Sequence, residues 1–169
     1  EALKIDSGIV DADDRKSPMF LTNEDFSSLP MPARHLVDID SYKYFIEDAR
    51  AVSLIAQLGC PFHCTFCSGR NSPFLRKIRT RSIDSIIEEI DYLYKNHGFK
   101  GYMFYDDELN VNKGMVDLMN KLSDYQKENN VEFRLRGFVK AELFTDEQAA
   151  AMYRAGFRWL LTGFESGDE

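Results

Sequence analysis

Cysteine is scarce: the 169 residues hold only three, and all of them lie between positions 60 and 67. An odd, tightly clustered set makes a poor disulfide framework, because no further thiol exists to complete the pairs. Surplus positive charge is missing too. The formal net charge of −7 argues against a general nucleic-acid binder, whose affinity would rest on a basic face. No apolar run approaches the roughly 20 residues that a membrane-spanning helix needs. The opening residues, Glu1-Ala2-Leu3-Lys4, carry neither an initiating Met nor a signal-peptide layout, so the expectation is a segment of something longer. A reducing, cytoplasmic setting fits clustered thiols, and there the pattern points to metal or cluster chemistry. With 44% hydrophobic residues, the chain can bury one ordinary core.

What is present divides into two textures. Over residues 1–50 the acids Asp11, Asp13 and Asp14 and the prolines Pro18, Pro30 and Pro32 interrupt any sustained period. This part reads as an irregular linker or wrapping segment, with a short helix expected over 40–48. Met19, Phe20, Leu21, Phe26, Leu29 and Met31 suggest that it lies against a surface. Residues 51–169 are regular. The apolar run 51–58 predicts a strand. Ser82 caps a predicted helix with Ile83, Ile86, Ile87, Ile90, Leu93 and Tyr94 on one face, closed by Gly98. A short strand over 102–105 follows, then a helix carrying Met115, Leu118, Met119, Leu122 and Tyr125. Val131, Phe133 and Leu135 alternate as a third strand. Thr145 and Gln148 form a capping box for a third helix, which Gly156 ends, and 157–164 makes a fourth strand. The order β-α-β-α-β-α-β implies an α/β fold with a parallel sheet and right-handed crossovers. Functional groups then gather at the C-terminal ends of the strands, whether the sheet is a barrel or open.

Directly after the first strand stands Cys60-Pro61-Phe62-His63-Cys64-Thr65-Phe66-Cys67. Thiolates are soft ligands suited to iron–sulfur clusters, and a [4Fe–4S] cube normally takes four of them. Three leave one iron without a protein thiolate, open to a substrate or cofactor, much as catalytic zinc sites keep one position open. The rival reading is a Cys3His zinc site using His63 in a zinc-stabilised binding module. It requires adjacent His63 and Cys64 to reach one ion, without the second ligand pair that structural zinc prefers.

The spacing CxxxCxΦC, with Phe66 in the aromatic position, resembles the signature of the radical S-adenosylmethionine (SAM) superfamily. The resemblance covers residues 51–169. It implies a partial TIM-like (β/α) barrel, a [4Fe–4S] cluster on Cys60, Cys64 and Cys67, and SAM chelating the open iron. Reductive cleavage of SAM would yield a 5′-deoxyadenosyl radical. It also implies roles at the strand ends. Asp107 or Glu108, in Asp106-Asp107-Glu108-Leu109-Asn110, would accept the SAM ammonium, although the common Gly-Gly-Glu form is absent. The alternative there is a solvated loop in which Asn110 or Asn112 caps the next helix. Gly163-Phe164-Glu165-Ser166-Gly167 is similar to a Gly-x-Glu-Ser-Gly segment whose Glu165 and Ser166 would contact the ribose or methionyl part. Arg136, with Lys140 just beyond, could pair with the SAM carboxylate, or be solvated. Phe66 would lie against the cofactor.

The stretch Leu29-Pro30-Met31-Pro32-Ala33-Arg34 is similar to the linker that precedes the radical domain in cobalamin-dependent members. The resemblance therefore implies a methyltransferase-type enzyme with a cobalamin domain elsewhere in the parent protein. A cobalamin-free oxidoreductase or methylthiotransferase is the alternative. Expected partners are a small-molecule substrate and an electron donor such as flavodoxin or ferredoxin. The basic run Arg70, Arg76, Lys77, Arg79 and Arg81 could hold an anionic substrate or a cobalamin side group, dock an acidic donor, or form a solvated face. Four strands, against the six usual in the family, leave an unfinished sheet edge through which the chain could self-associate.

Overall fold

The computed structural model describes residues 13–17 and 19–167; the linker expectation for 1–12 and Pro18 lies outside them. Within the linker, Thr22 and Asp25 form a reciprocal capping box, Asp25 N donating to Thr22 Oγ1 and Thr22 N to Asp25 Oδ2. It starts a short helix, α1 (Asn23–Ser28), with Phe26 buried. The helix expected over 40–48 is absent. A 3-10 turn at Ile39–Ser41 leads instead into a hairpin of β1 (Phe45–Ile46) and β2 (Ala49–Leu54), paired Phe45↔Arg50 and Ile46↔Ala49. Glu47 takes the left-handed turn conformation, with φ 52°. Pairing with β2 gives these backbone groups partners that an isolated short helix would lack, and it buries Ile46 while Tyr42 and Phe45 stay exposed.

The expected strand over 51–58 breaks in two. β2 pairs in parallel with β5 (Gly101–Phe104), from Ala51↔Gly101 to Leu54↔Phe104. Gly101 is required there, because a Cβ would stand 2.6 Å from that of Ala51. Beyond Leu54 the chain turns out of the sheet, and β3 (Gln57–Leu58) pairs antiparallel with β4 (Arg79–Thr80). The cause is Asp106, just past β5. Its buried carboxylate accepts from Ala56 N at 2.8 Å and Gln57 N at 2.6 Å. The amides that would have extended the ladder bond to this side chain instead.

The helices follow their sequence signals more closely. In α2 (Ile83–His97), Ser82 Oγ accepts from Ser85 N and Gly98, with φ 70°, ends the helix. In α3 (Met115–Glu128), Met115, Leu118, Met119 and Leu122 are buried. α4 (Asp146–Ala155) has the expected capping box, and Gly156 closes it. β6 (Arg134–Phe138) begins three residues later than the alternation from Val131 suggests. Val131 N and Phe133 N bond to Gln126 at the end of α3, through its carbonyl oxygen and its Oε1 respectively, so this stretch serves the helix rather than the sheet. β7 (Phe157–Leu161) stops three residues earlier than expected.

The main sheet runs β1-β2-β5-β6-β7, its last four strands parallel, and curls into a half-barrel. The partial TIM-like architecture is therefore present. Leu54, Tyr102, Phe104, Leu135 and Phe157 pack on Ile86, Ile90, Leu93, Leu118 and Leu122 to form the main core. A smaller cluster of Ile46, Ala51 and Met103 lies apart from it. The linker is tied to this body by Glu89 of α2, whose side chain is 1% exposed. Its Oε1 accepts from Arg34 at 2.7 Å and its Oε2 from Arg81 at 2.5 Å. The same guanidiniums donate to the carbonyl oxygens of Ser53 and Ile55, where β2 ends.

Two outcomes follow from these buried carboxylates. Glu89→Ala strands two guanidiniums in a desolvated site, and should lower the unfolding free energy by about 3–5 kcal/mol, read from urea transitions; a loss below about 1 kcal/mol would mean the group is effectively solvated. For Asp106, desolvation raises the carboxyl from 3.8 to about 7, against the two amides that favour its charged form. The folded chain therefore holds a proton there that the unfolded chain releases, so stability falls as pH rises between these two values. Asp106→Asn keeps the acceptor without the titration. Urea midpoints measured from pH 4.5 to 7.5 should show a flatter profile for the variant; parallel profiles would count against the buried proton.

Candidate functional site

The excursion between β3 and β4 is held by its own backbone. Gly59 has φ 92°, and a Cβ there would stand 2.1 Å from the carbonyl oxygen of Lys77, so only glycine lets the two sides of the loop approach this closely. Cys60 N then donates to the Leu75 carbonyl at 2.9 Å, and Cys67 N to that of Cys64 at 3.0 Å. A 3-10 turn, Ser68–Asn71, follows Cys67. Arg70 donates to the Thr65 carbonyl oxygen from its side chain, and its own carbonyl oxygen lies 3.0 Å from His63 Nδ1. Asp13 reaches in from the linker to Ser72 Oγ and Phe74 N. All three cysteines are half-buried free thiols.

The rim facing them comes from the ends of β5, β6 and β7. Asp107 Oδ2 accepts from Gly59 N at 3.0 Å, tying the first rim loop to the residue before Cys60. Glu108 accepts Gln57 Nε2 on its carbonyl oxygen at 2.7 Å. Its Oε2 is buried without a hydrogen-bond partner, and desolvation holds its carboxyl above the usual range, with Lys140 opposing. Asn110 and Lys140 exchange two bonds, Asn110 Nδ2 donating to the Lys140 carbonyl at 2.9 Å and Lys140 N to Asn110 Oδ1 at 2.8 Å. That pair locks the loop after β5 to the loop after β6. Lys140 Nζ meets Glu142 at 3.2 Å and lies over the Phe62 ring at 4.8 Å. The bond to Glu142 raises its pKa.

Together these pieces enclose a cavity of about 770 Å³. Cys60, Cys64, Cys67, the exposed ring of Phe66, Asp107, Glu108, Glu165 and Ser166 all line it. Arg136 is not among the lining residues. It stands mid-strand in register with Met103 and Trp159, its Nε buried without a partner. The lining also includes Arg76, Lys140 and Thr162. Sequence spacing singled out none of these individually, although Arg76 stood in the basic run and Lys140 beside Arg136. Asp106 was visible only as one acid among three.

The donor set discriminates between zinc and an iron–sulfur group. A mononuclear zinc site needs all its ligands at about 2.0–2.3 Å from one point. Among the described residues no three His, Cys, Asp or Glu side chains are so arranged, and His63 is exposed and absent from the cavity lining. Three free thiols lining one chamber are the donor set that a polynuclear iron–sulfur group takes, its thiolates binding different irons. Among the described residues no helix is long and apolar enough to cross a membrane.

Comparison with known proteins agrees with this fold. "Uncharacterized methyltransferase PH0819" of Pyrococcus horikoshii is 26% identical over 144 residues, covering 85% of this chain and 30% of that protein. "Uncharacterized methyltransferase sll1242" of Synechocystis sp. is 29% identical over 147 residues, covering 86% and 26%. The chain thus spans less than a third of the length of these curated relatives. Among solved structures, the radical SAM methyltransferase TsrM of Kitasatospora setae, with cobalamin and a [4Fe–4S] cluster bound, superposes with a TM-score of 0.61 at 19% identity. That match covers 69% of this chain and 21% of that one, and it shows a shared fold. The model of the radical SAM superfamily matches residues 54–169. By that match, which takes in every cysteine and the whole rim, the chain belongs to the radical SAM superfamily.

Proposed function

We propose that this chain holds a [4Fe–4S] cluster on Cys60, Cys64 and Cys67 and binds SAM beside it, within a cobalamin-dependent methyltransferase-type enzyme. The observation that carries the reading is the convergence of three thiols, and no fourth, on one chamber rimmed by the strand ends. When bound, such a cluster would supply the electron for reductive cleavage of the SAM sulfonium. The chain's own part is binding and orientation. Glu108, with an unpartnered buried Oε2, offers the acceptor for the ammonium of the cofactor. Asp107 holds Gly59 and so sets where Cys60 sits. Glu165 and Ser166, which line the chamber, would contact the ribose or methionyl part, and Phe66, on the same lining, would lie against the cofactor. The linker motif that ends at Arg34 supports the cobalamin branch by its sequence; in the fold Arg34 pairs with Glu89 and donates to the Ser53 carbonyl oxygen, which ties the linker to the end of β2. The names of the relatives support a methyltransferase. A donor of the flavodoxin or ferredoxin type would deliver the electron.

Anaerobic reconstitution tests this. The expected product carries about four irons per chain and a broad absorbance at about 400 nm, and SAM should alter the EPR spectrum of the reduced cluster. Replacing all three cysteines by Ala should abolish each signal. One tightly held zinc with no response to SAM would overturn the proposal. A second expectation concerns the open outer edge of β7, where no strand pairs among the described residues and Trp159 is 55% exposed. Such an edge recruits backbone from another copy. Light scattering should show apparent mass rising with concentration, and Trp159→Lys should suppress the rise; a constant monomer mass would remove this expectation.

A further inference from the structure

The five cations of the basic run part company in the fold. Arg70 is spent on the Thr65 carbonyl inside the cysteine loop. Lys77 lies over the Phe20 ring. Arg79 is fully buried, stacks on Phe74 at 4.0 Å and donates to the Phe74 carbonyl oxygen. Arg81 belongs to Glu89. Arg76 alone of the five lines the cysteine chamber while its Nε and Nη1 are buried and without any hydrogen-bond partner. A guanidinium in that state carries a desolvation cost that an incoming anion would offset.

Its position narrows which anion. Arg76 directly follows Leu75, whose carbonyl oxygen receives Cys60 N, so its backbone is fixed to the first cysteine. On the same chamber stands Glu108 with an unpartnered buried carboxylate oxygen. An unpaired cation and an unpaired anion at one cavity suit a zwitterion, and the amino-acid end of SAM is one, with ammonium and carboxylate on the same carbon. The planar fork of an arginine matches a carboxylate. Lys140, the other lining cation, is already paired with Glu142. Arg136, the candidate suggested by sequence position, lies outside the lining.

Resting on the functional reading above, we propose that Arg76 is the residue that binds the carboxylate of the SAM methionyl group in the chamber that Glu108 also lines. The test compares SAM with its decarboxylated analogue. Both are titrated by equilibrium dialysis against the reconstituted, unreduced protein, so that no cleavage intervenes. Arg76→Gln should load the parent's iron content, yet bind SAM about 10- to 100-fold more weakly, the range of a lost charge-assisted bond. The decarboxylated analogue should bind parent and variant alike, and Arg76→Lys should recover part of the SAM affinity. Equal weakening toward both ligands, unchanged SAM binding, or failure of Arg76→Gln to load iron would each overturn the assignment. So would a carboxylate-specific loss in Arg136→Gln and none in Arg76→Gln. Failure of the parent protein to load iron or bind SAM would sink the functional reading itself, an outcome visible before any Arg76 variant is compared.

Discussion

The two hydrogen bonds that Asp106 accepts from the amides of Ala56 and Gln57 decide where the sheet stops and the chemistry begins. Without them, the apolar run from Ala51 would have every reason to continue as one strand. With them, the chain leaves the sheet at Leu54, and the small β3–β4 ladder closes the cysteine loop as a separate unit above the strand ends. The carboxyl sits in a place where charge is costly, and its raised pKa is the measure of that cost. A buried acid satisfied on one oxygen by two amides still rigidifies the turn, because the alternative leaves two buried N–H groups without partners.

From that break the site is assembled by polar ties between loops rather than by its apolar core. Asp107 to Gly59, Gln57 to the Glu108 carbonyl, and the reciprocal Asn110–Lys140 pair link the cysteine loop, the β5 rim and the β6 rim in series. Each tie runs between a side chain and a backbone group, so each fixes a loop's path while leaving Glu108 Oε2 buried and unsatisfied. Such groups are expensive to leave unpaired, and they collect where a ligand can complete them. Glu89 does the same service for the linker: it neutralises Arg34 and Arg81, which anchors the linker where β2 ends.

The scattering of the basic run shows how little a charge count says about a site. Five cations within twelve residues look like one patch. The fold instead places one in the core on an aromatic ring, one against a buried glutamate, one inside its own loop and one over a linker ring, leaving Arg76 for the chamber. What separates them is the direction each side chain takes from the loop or from β4, which only the fold sets.

The sequence by itself determined what depends on neighbours a few residues apart. Cysteine spacing, the caps at Ser82, Thr145, Gly98 and Gly156, the buried helix faces and the parallel βα order are all of this kind, since a helical turn or a metal-binding loop reads its partners at short, repeating intervals. Tertiary structure alone decided the partners that lie far apart in the chain. Asp106 meets an amide 50 residues earlier and Glu89 an arginine 55 residues earlier, and no periodicity announces such a pair. For that reason the hairpin before β2, the early end of that strand, the role of Asp107 in holding Gly59, and the presence of Arg76 rather than Arg136 on the cavity wall became visible only when the sheet brought its loops together.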